Sequence, residues 1–273
     1  MATFARVDRA DGWAAAHRHA DPGDPLARGG RTDGSAAAQR YADPGDPLAR
    51  GGRTDGSAAA QRYADPGAPL ARDVRAPTWL LIRHGRTACN ARRRLSGQDD
   101  EPLDYVGRWQ AIRAGLGLRG AQPPPLLLCS DQLRAHQSAG ALAQAAGWPG
   151  IDSHAWLTHP ALRERHLGRW QGRSYDRLRN AGLTQQLVRW RLAPPDGESL
   201  CELAARLLGY LAQLPNEPGL MVTHAGPIRV LQGLAQGVPL DDLGVIRVPQ
   251  AHIIRLELPP GGWAGLARRL TPG

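Results

Sequence analysis

The chain contains no lysine, so all 34 of its basic residues are arginine. Together with abundant alanine, glycine and proline, this bias is typical of GC-rich coding and says little about function. The cysteines, Cys89, Cys129 and Cys201, include no CxxC pair and no even set, which indicates reduced thiols in a cytosolic protein rather than a disulfide framework. Aromatic residues make up only 5% of the chain, few for a protein that stacks on nucleic-acid bases.

Long apolar stretches are also missing. Residues 1–13 contain no hydrophobic leader core, and no run approaches the length of a membrane-spanning helix. No set of His, Cys, Asp or Glu residues has the spacing of metal ligands. These absences predict a soluble, cytoplasmic protein that needs no metal or other cofactor and does not associate with membranes. They leave the oligomeric state open between a monomer and a homodimer.

Residues 1–76 consist of a repeat. Three tandem copies of a 22-residue unit follow one another, the second from Arg31 to Gly52 and the third from Arg53 to Val74. Each copy has one leucine and an Asp-Pro-Gly break, so it offers no apolar face to stack and no continuous helix. The available burial cannot offset a backbone entropy of about 1–2 kcal/mol per residue. We therefore expect a disordered tail over residues 1–76 and a folded domain over residues 77–273.

The positive charge belongs to the expected domain. Residues 1–76 carry 11 Arg against 10 Asp, whereas residues 77–273 carry 23 Arg against 15 acidic residues, which leaves the domain at +8. A basic domain suits an anionic partner, either nucleic acid or a small phosphorylated substrate. Because the arginines are scattered and aromatics are few, the composition favours the small phosphorylated substrate and no nucleic acid.

Apolar runs and capping residues predict alternating strands and helices after Pro77. Ser130 or Asp131 is the expected cap of the helix after the second strand. The alternation predicts an α/β three-layer sandwich around a mostly parallel sheet. The expected strands are 78–83, 126–129, 219–223, 245–248 and 252–258, and the expected helices are 104–116, 132–146, 175–180, 183–191 and 199–214.

Candidate functional residues follow three of these strands. Arg83 and His84 end the first strand, Ser130 and Arg134 follow the second, and His224 follows the strand at 219–223. The carboxyl ends of parallel strands meet at one edge of the sheet, where reactive groups gather. A lone histidine is more often structural, but two histidines and two arginines at three strand ends predict a shared site.

The run Arg83-His84-Gly85 resembles the signature of the histidine phosphatase superfamily, the phosphoglycerate-mutase-like proteins. Further segments resemble that family's motifs in the family's order, and the resemblance covers residues 78–260. It implies the phosphoglycerate-mutase-like fold and a metal-independent phosphoric monoester hydrolase, with α-ribazole phosphatases among the similar branches. The additional matching segments are 97–111, 129–138, 162–172, 197–199 and 222–229.

The same resemblance implies a role for each site residue. His84 is the nucleophile that forms a phosphohistidine, which water then hydrolyses. Glu164 protonates the leaving group and then activates the water, although a loop salt bridge with Arg163 or Arg165 is the structural alternative. His224 and Arg83 act directly on the reacting phosphoryl group. The implied phosphate-binding set is Arg83, Asn90, Gly97, Arg134 and His224.

Two features divide phosphatases from mutases of this family. His224 lies only 60 positions after Glu164, whereas mutases typically enclose the pocket with a longer insertion there. The segment 224–229 is similar to phosphatase branches, while the segment 164–168 is more similar to mutases. We therefore expect a phosphomonoesterase that acts on a small phosphorylated metabolite. A phosphoglycerate-type mutase, and a regulatory protein that only binds a phosphorylated ligand, remain alternatives.

Overall fold

The computed structural model describes residues 77–148 and 155–270. The repeats and the disorder expected for residues 1–76 lie outside these ranges and stay a prediction. Within the described ranges, no helix is long and apolar enough to cross a membrane.

Five strands form one sheet in the order β3-β2-β4-β1-β5. The pairs β3/β2, β2/β4 and β4/β1 are parallel, and β5 runs antiparallel to β1 at the edge. The predicted α/β fold with a mostly parallel sheet is therefore confirmed. The strands are β1 (Thr78–Arg83), β2 (Leu126–Cys129), β3 (Leu157–Thr158), β4 (Gly219–Thr223) and β5 (Ile253–Glu257).

Helices cover both faces of the sheet. The helices are α1 (Ala88–Ala91), α2 (Tyr105–Leu116), α3 (Leu133–Ala146), α4 (Tyr175–Asn180), α5 (Gln185–Val188), α6 (Leu200–Leu211), α7 (Ala225–Gln236) and α8 (Gly262–Ala267). Short 3-10 turns lie at Pro160–Leu162, Gly168–Trp170, Leu240–Val245 and Arg268–Leu270.

Successive residues of β1 enter different cores. Trp79 and Leu81 pack with residues of α6, α7 and α8, whereas Leu80 and Ile82 pack with residues of α2 and α3. A strand alternates its side chains between the two faces of a sheet, so a strand buried on both faces is apolar throughout. This explains why the run from Trp79 to Ile82 shows no alternation in sequence.

Several predicted boundaries need correction. Residues 245–248 are not a strand, because a 3-10 turn and a loop occupy this region. The carbonyls of Ile246 and Val248 instead accept hydrogen bonds from Arg229 and Arg83. The helix expected at 183–191 is only the four-residue α5.

The cap predicted for α3 was also wrong. Gln132 is the N-cap residue, and its side chain makes no capping bond. The backbone N–H of Leu133 donates instead to Asp100 Oδ1, over 2.7 Å. A remote loop therefore supplies the cap that Ser130 or Asp131 was expected to provide.

A close approach of two glycines places α2 against the end of β1. A Cβ built on Gly107 would lie 2.0 Å from the carbonyl oxygen of Arg86, and one built on Gly85 would lie 2.2 Å from the carbonyl oxygen of Gly107. The neighbouring atoms are backbone and cannot rotate away. Only glycine at both positions allows α2 to pack directly on the segment that follows His84.

We expect Gly107→Ala to lower the free energy of unfolding by about 1–3 kcal/mol, because the added methyl group overpacks a rigid contact. In an open helical position the same change stabilises by roughly 0.5–1 kcal/mol. Gly140→Ala in α3 is the matched control, since nothing lies within 4 Å of its Cβ position. Urea denaturation of both variants tests whether each substitution raises or lowers the free energy of unfolding. Equal stabilisation by the two substitutions would contradict this packing.

Candidate active site

The carboxyl ends of β1, β2 and β4 bring the predicted residues to one edge of the sheet. His84 follows β1, Ser130 follows β2 and His224 follows β4. The two imidazole rings lie 5.1 Å apart between centroids, and Ser130 Oγ lies 2.8 Å from His224 Nε2. The residues predicted to share a site from their positions after the strands are thus neighbours in the structure.

The contacts of His84 define its tautomer. Nδ1 lies 2.7 Å from the carbonyl oxygen of Gly85, and a carbonyl only accepts, so Nδ1 carries the proton. Nε2 accepts from Arg134 Nε over 3.3 Å. The lone pair of this neutral imidazole is therefore on Nε2, the nitrogen that faces Arg134.

Arg134 is fully buried in the first turn of α3. Nη1 donates to the carbonyl of Asp99 and Nη2 to the carbonyl of Gly97, each over 2.7 Å. Together with the contact to His84, these bonds fix the guanidinium plane. A guanidinium has five N–H groups, so two remain to bind an anion.

Asn90 is held through its oxygen. Asn90 Oδ1 accepts from the backbone N–H of Thr87 over 3.2 Å and from Gln250 Nε2 over 2.7 Å. Because both bonds use the oxygen, the amide N–H groups remain to donate. Gly97 lies nearby with a φ of 52°, a left-handed conformation that favours glycine.

Glu164 reaches the site from a loop rather than from a strand end. Its Oε1 accepts from the backbone N–H groups of Arg165, over 2.8 Å, and Gly226, over 3.0 Å. Gly226 lies in the first turn of α7, where N–H groups lack helical partners and attract carboxylates. A Cβ on Gly226 would lie 2.3 Å from Glu164 Oε1, so glycine is required for this approach.

The arginines beside Glu164 make other contacts. The Arg163 guanidinium binds the carboxylate of Asp131, and that of Arg165 donates to the carbonyls of Gln186 and Leu187. The loop salt bridge considered as the alternative role of Glu164 is therefore not the arrangement in the structure.

Two supporting side chains had no role predicted from the sequence. Ser138 Oγ accepts from the N–H of Gly85 over 3.0 Å and donates to the carbonyl of Arg134 over 2.7 Å. Gln132 Oε1 accepts from the N–H of Glu164 over 3.0 Å. The sequence signals for Ser138 are its place at the end of the matching segment 129–138 and its position one helical turn after Arg134.

A cavity of about 90 Å³ adjoins these groups. This is several times the volume of about 10–15 Å³ that one water molecule needs. His224 and Ser130 are not among the residues that line it. The predicted residues that line the cavity are Arg83, His84, Asn90, Gly97, Arg134 and Glu164.

The model of the histidine phosphatase superfamily (branch 1) matches residues 79–270. This chain belongs to that family. The sequence resemblance is therefore confirmed, and the matched residues span every element from β1 to α8.

Named relatives of this histidine phosphatase include both phosphatases and mutases. The glucosyl-3-phosphoglycerate phosphatase of Mycolicibacterium vanbaalenii is 33% identical over 70% of this chain and 91% of its own length. The probable phosphoglycerate mutase GpmB of Yersinia pestis is 30% identical over 67% of this chain and 86% of its own. The structure of a putative α-ribazole-5'-P phosphatase from Escherichia coli aligns with a TM-score of 0.58 and 25% identity, over 68% of this chain and 93% of its own.

Burial keeps both histidines of this phosphatase neutral. Burial lowers the pKa of His84 well below its ordinary value, and the charges of Arg134 and Arg83 lower it further, whereas the hydrogen bond to Gly85 acts in the opposite direction. Burial likewise lowers the pKa of His224, followed by the charges of Arg134, His84 and Arg83. The Nε2 lone pair of His84 therefore stays available below neutral pH.

No group of three or more His, Cys, Asp or Glu side chains within residues 77–148 and 155–270 is arranged to hold a metal ion.

We expect the free energy of unfolding to fall as pH drops below about 6.5, because the unfolded histidines take up protons that the folded ones do not. Each buried histidine contributes a loss of up to about 2 kcal/mol between pH 7 and pH 5. His84→Asn removes one of them and should reduce this pH dependence by that amount. Urea denaturation at stepped pH measures it.

The range from pH 7.5 to 8.5 is the internal control, because the imidazoles are neutral in both states there and the two stability profiles should run parallel. A His84→Asn profile as steep as that of the unsubstituted enzyme between pH 7 and pH 5 would contradict the lowered pKa.

Proposed function

We propose that this histidine phosphatase hydrolyses phosphomonoesters through a phosphohistidine on His84 Nε2, without a metal ion. The observation that carries the proposal is the orientation of the His84 ring. Its Nδ1–H donates to the carbonyl of Gly85, its Nε2 lone pair faces Arg134, and the residue lines the cavity. A neutral imidazole with a fixed tautomer is the form that attacks phosphorus.

In the first step the Nε2 lone pair forms the N–P bond, and the ester P–O bond breaks with its electron pair leaving on the alkoxide oxygen. Glu164 in its protonated form supplies the proton to this oxygen. Glu164 Oε1 holds the shorter backbone bonds, which leaves Oε2 for the proton. In the second step Glu164 takes a proton from water, whose oxygen attacks phosphorus, and the N–P bond breaks to release phosphate.

Fixed donors neutralise the charge on the phosphoryl oxygens during both steps. Arg134 offers two N–H groups, Asn90 offers its amide, and Gly97 lines the same cavity. Arg83 lies at the base of the cavity, with one guanidinium N–H on Val248. These groups supply the electrostatic stabilisation that a divalent ion provides in other phosphatases, which supports metal independence.

His224 completes this set once a phosphorylated ligand is bound. Its Nδ1 has no hydrogen-bond partner among the described residues, and its Nε2 contacts Ser130. The negative charge of a phosphoryl group opposes the effect of burial and favours the imidazolium form. We infer that His224 takes up a proton with the substrate and stabilises the transferring group.

Further arginines along the cavity point to a substrate with a second anionic group. Arg94, Arg165 and Arg229 line the same cavity as His84, and Arg165 and Arg229 are almost fully buried. A phosphoglycerate carries a carboxylate beside its phosphate, and the relative from Mycolicibacterium is named for such a compound. We infer a small phosphorylated metabolite of this kind as the substrate class.

A phosphoglycerate-type mutase is the second candidate, favoured by the similarity to GpmB. It would use the same phosphohistidine but return the phosphoryl group to the bound glycerate. Only short helices, α4 and α5, precede α6 in the segment between Glu164 and His224, which supports hydrolysis. Incubation with 3-phosphoglycerate separates the two, since a phosphatase releases inorganic phosphate and a mutase forms 2-phosphoglycerate.

A cytoplasmic location is part of the same proposal. All three cysteines are free. Burial, followed by the charge of Glu101, raises the pKa of Cys89 to about 11, and burial also raises that of Cys129. Thiols kept protonated in this way are poorly reactive, as suits reduced structural cysteines.

We expect His84→Ala to abolish turnover of p-nitrophenyl phosphate, because no nitrogen remains to form the phosphoenzyme. EDTA should leave the unsubstituted enzyme fully active. Initial rates of p-nitrophenol release measure both effects. His136→Ala, on α3 and outside the cavity lining, is the control and should retain full turnover. Loss of activity in EDTA with recovery on adding a divalent ion would refute the metal-independent mechanism.

We expect Glu164→Gln to slow hydrolysis of 3-phosphoglycerate by about 10²–10⁴-fold, the usual contribution of a general acid. Hydrolysis of p-nitrophenyl phosphate should fall much less, since its leaving group departs without a proton. The measurement is kcat/KM on each substrate. Glu257→Gln, an exposed substitution at the end of β5, should change neither. Equal losses on both substrates would assign the acid role to another residue.

A further inference from the structure

The loop that carries Glu164 has little regular structure of its own. Pro160–Leu162 form one 3-10 turn, and Glu164 follows in an irregular segment. The N–H groups of Arg165 and Gly226 hold the carboxylate, but they position it only if the loop backbone is itself fixed. General acid catalysis loses efficiency when the acid is displaced by as little as about 1 Å.

The guanidinium of Arg206, on α6, donates hydrogen bonds to several carbonyl groups of this loop. Arg206 Nη1 donates to the carbonyl of Ala161 over 2.7 Å and to that of Pro160 over 3.2 Å. Arg206 Nη2 donates to the carbonyl of Arg163 over 3.3 Å and to that of Glu164 over 3.4 Å. Four carbonyl groups between Pro160 and Glu164 therefore bind the same side chain.

Glu198 binds both this guanidinium and the backbone of His166, which follows Glu164 in the loop. Its two oxygens accept from Arg206 Nε and Nη2, each over 2.9 Å, the forked geometry of a strong ion pair. The same carboxylate accepts from the N–H of His166 over 3.2 Å, and the N–H of Glu198 donates to the carbonyl of His166 over 2.8 Å. The ion pair thus binds the chain both before and after Glu164.

We propose that Arg206, held by Glu198, is a positioning residue for general acid catalysis: it fixes the loop so that Glu164 meets the leaving oxygen. Neither Arg206 nor Glu198 lines the cavity, so they do not touch the phosphoryl group there. Burial and the charges of Arg134, His84 and Arg83 lower the pKa of His224 more than the Arg206 charge does, which leaves the loop as the main route by which Arg206 acts. The inference rests on the proposed acid role of Glu164. It adds two residues whose loss should affect leaving-group protonation and spare the attack by His84.

The test is kcat/KM of Arg206→Gln on 3-phosphoglycerate and on p-nitrophenyl phosphate. We expect a loss of about 10–100-fold on the alkyl phosphate, part of the general acid contribution, and less than about threefold on the aryl phosphate. A change in the field at the phosphate site would slow both substrates alike. Arg206→Lys keeps the charge but not the forked guanidinium geometry. It should show a smaller loss of kcat/KM that is still selective for the alkyl phosphate.

Arg163→Gln is the matched control. Arg163 lies next to Glu164 and forms a forked ion pair with Asp131, but its guanidinium contacts no carbonyl of the loop among its hydrogen bonds. The substitution removes the same charge and an equivalent pair from the same loop. It should leave the ratio of alkyl to aryl hydrolysis unchanged.

Measuring Glu164→Gln in parallel separates the positioning role of Arg206 from the acid role of Glu164. If Glu164→Gln is selective for the alkyl phosphate and Arg206→Gln is not, the positioning role is refuted and the proposed function stands. If Glu164→Gln itself shows no selectivity, the acid assignment fails and the positioning role fails with it. Should Arg206→Gln not fold, Arg206→Lys and Glu198→Gln give the decisive ratio, and an unchanged ratio in both refutes the proposal.

Discussion

The hydrogen bond from His84 Nδ1–H to the carbonyl of Gly85 is the contact on which the site depends. If this proton moved to Nε2, the nitrogen facing Arg134 would have no lone pair for phosphorus. The carbonyl stays in place because the N–H of Gly85 is bound by Ser138 and its Cα lies against the backbone of Gly107. Packing of α2 and α3 on the end of β1 thus determines which nitrogen can react.

Burying the cationic groups around this nitrogen costs free energy, and hydrogen bonds to backbone carbonyls reduce that cost. Burying a guanidinium is unfavourable unless its N–H groups find acceptors, and here the carbonyls of Gly97 and Asp99 accept from Arg134 and that of Val248 accepts from Arg83. Burial lowers the pKa of both histidines, and the charges of Arg134 and Arg83 lower it further. The same charges attract a phosphoryl dianion, so the proposed nucleophile stays unprotonated while the ligand is drawn to it.

The sheet and the residues at its edge were predictable because short-range patterns encode them. A strand buried on both faces is a continuous apolar run, and parallel strands must end at one edge, so His84, Arg134 and His224 could be grouped without coordinates. The mostly apolar run at 245–248 gives the same signal as a strand, although its carbonyls accept hydrogen bonds from arginines instead. The contacts of Arg206 and Gln250 had no local signal, since they join segments about 40 and 160 residues apart.

The nucleophile and the acid are held by different kinds of structure, and this difference suits their chemistry. In the proposed mechanism His84 and Arg134 act on a phosphoryl group that every substrate shares, and they lie at the end of β1 and in α3. In the same mechanism Glu164 acts on a leaving group that differs among substrates, and it lies on a loop. A loop carries a side chain in a fixed position only where its backbone is held by other elements. The ion pair of Arg206 and Glu198 binds this loop from α6 and lies outside the cavity lining, so the proposed acid is positioned by contacts that leave the phosphoryl site itself unobstructed.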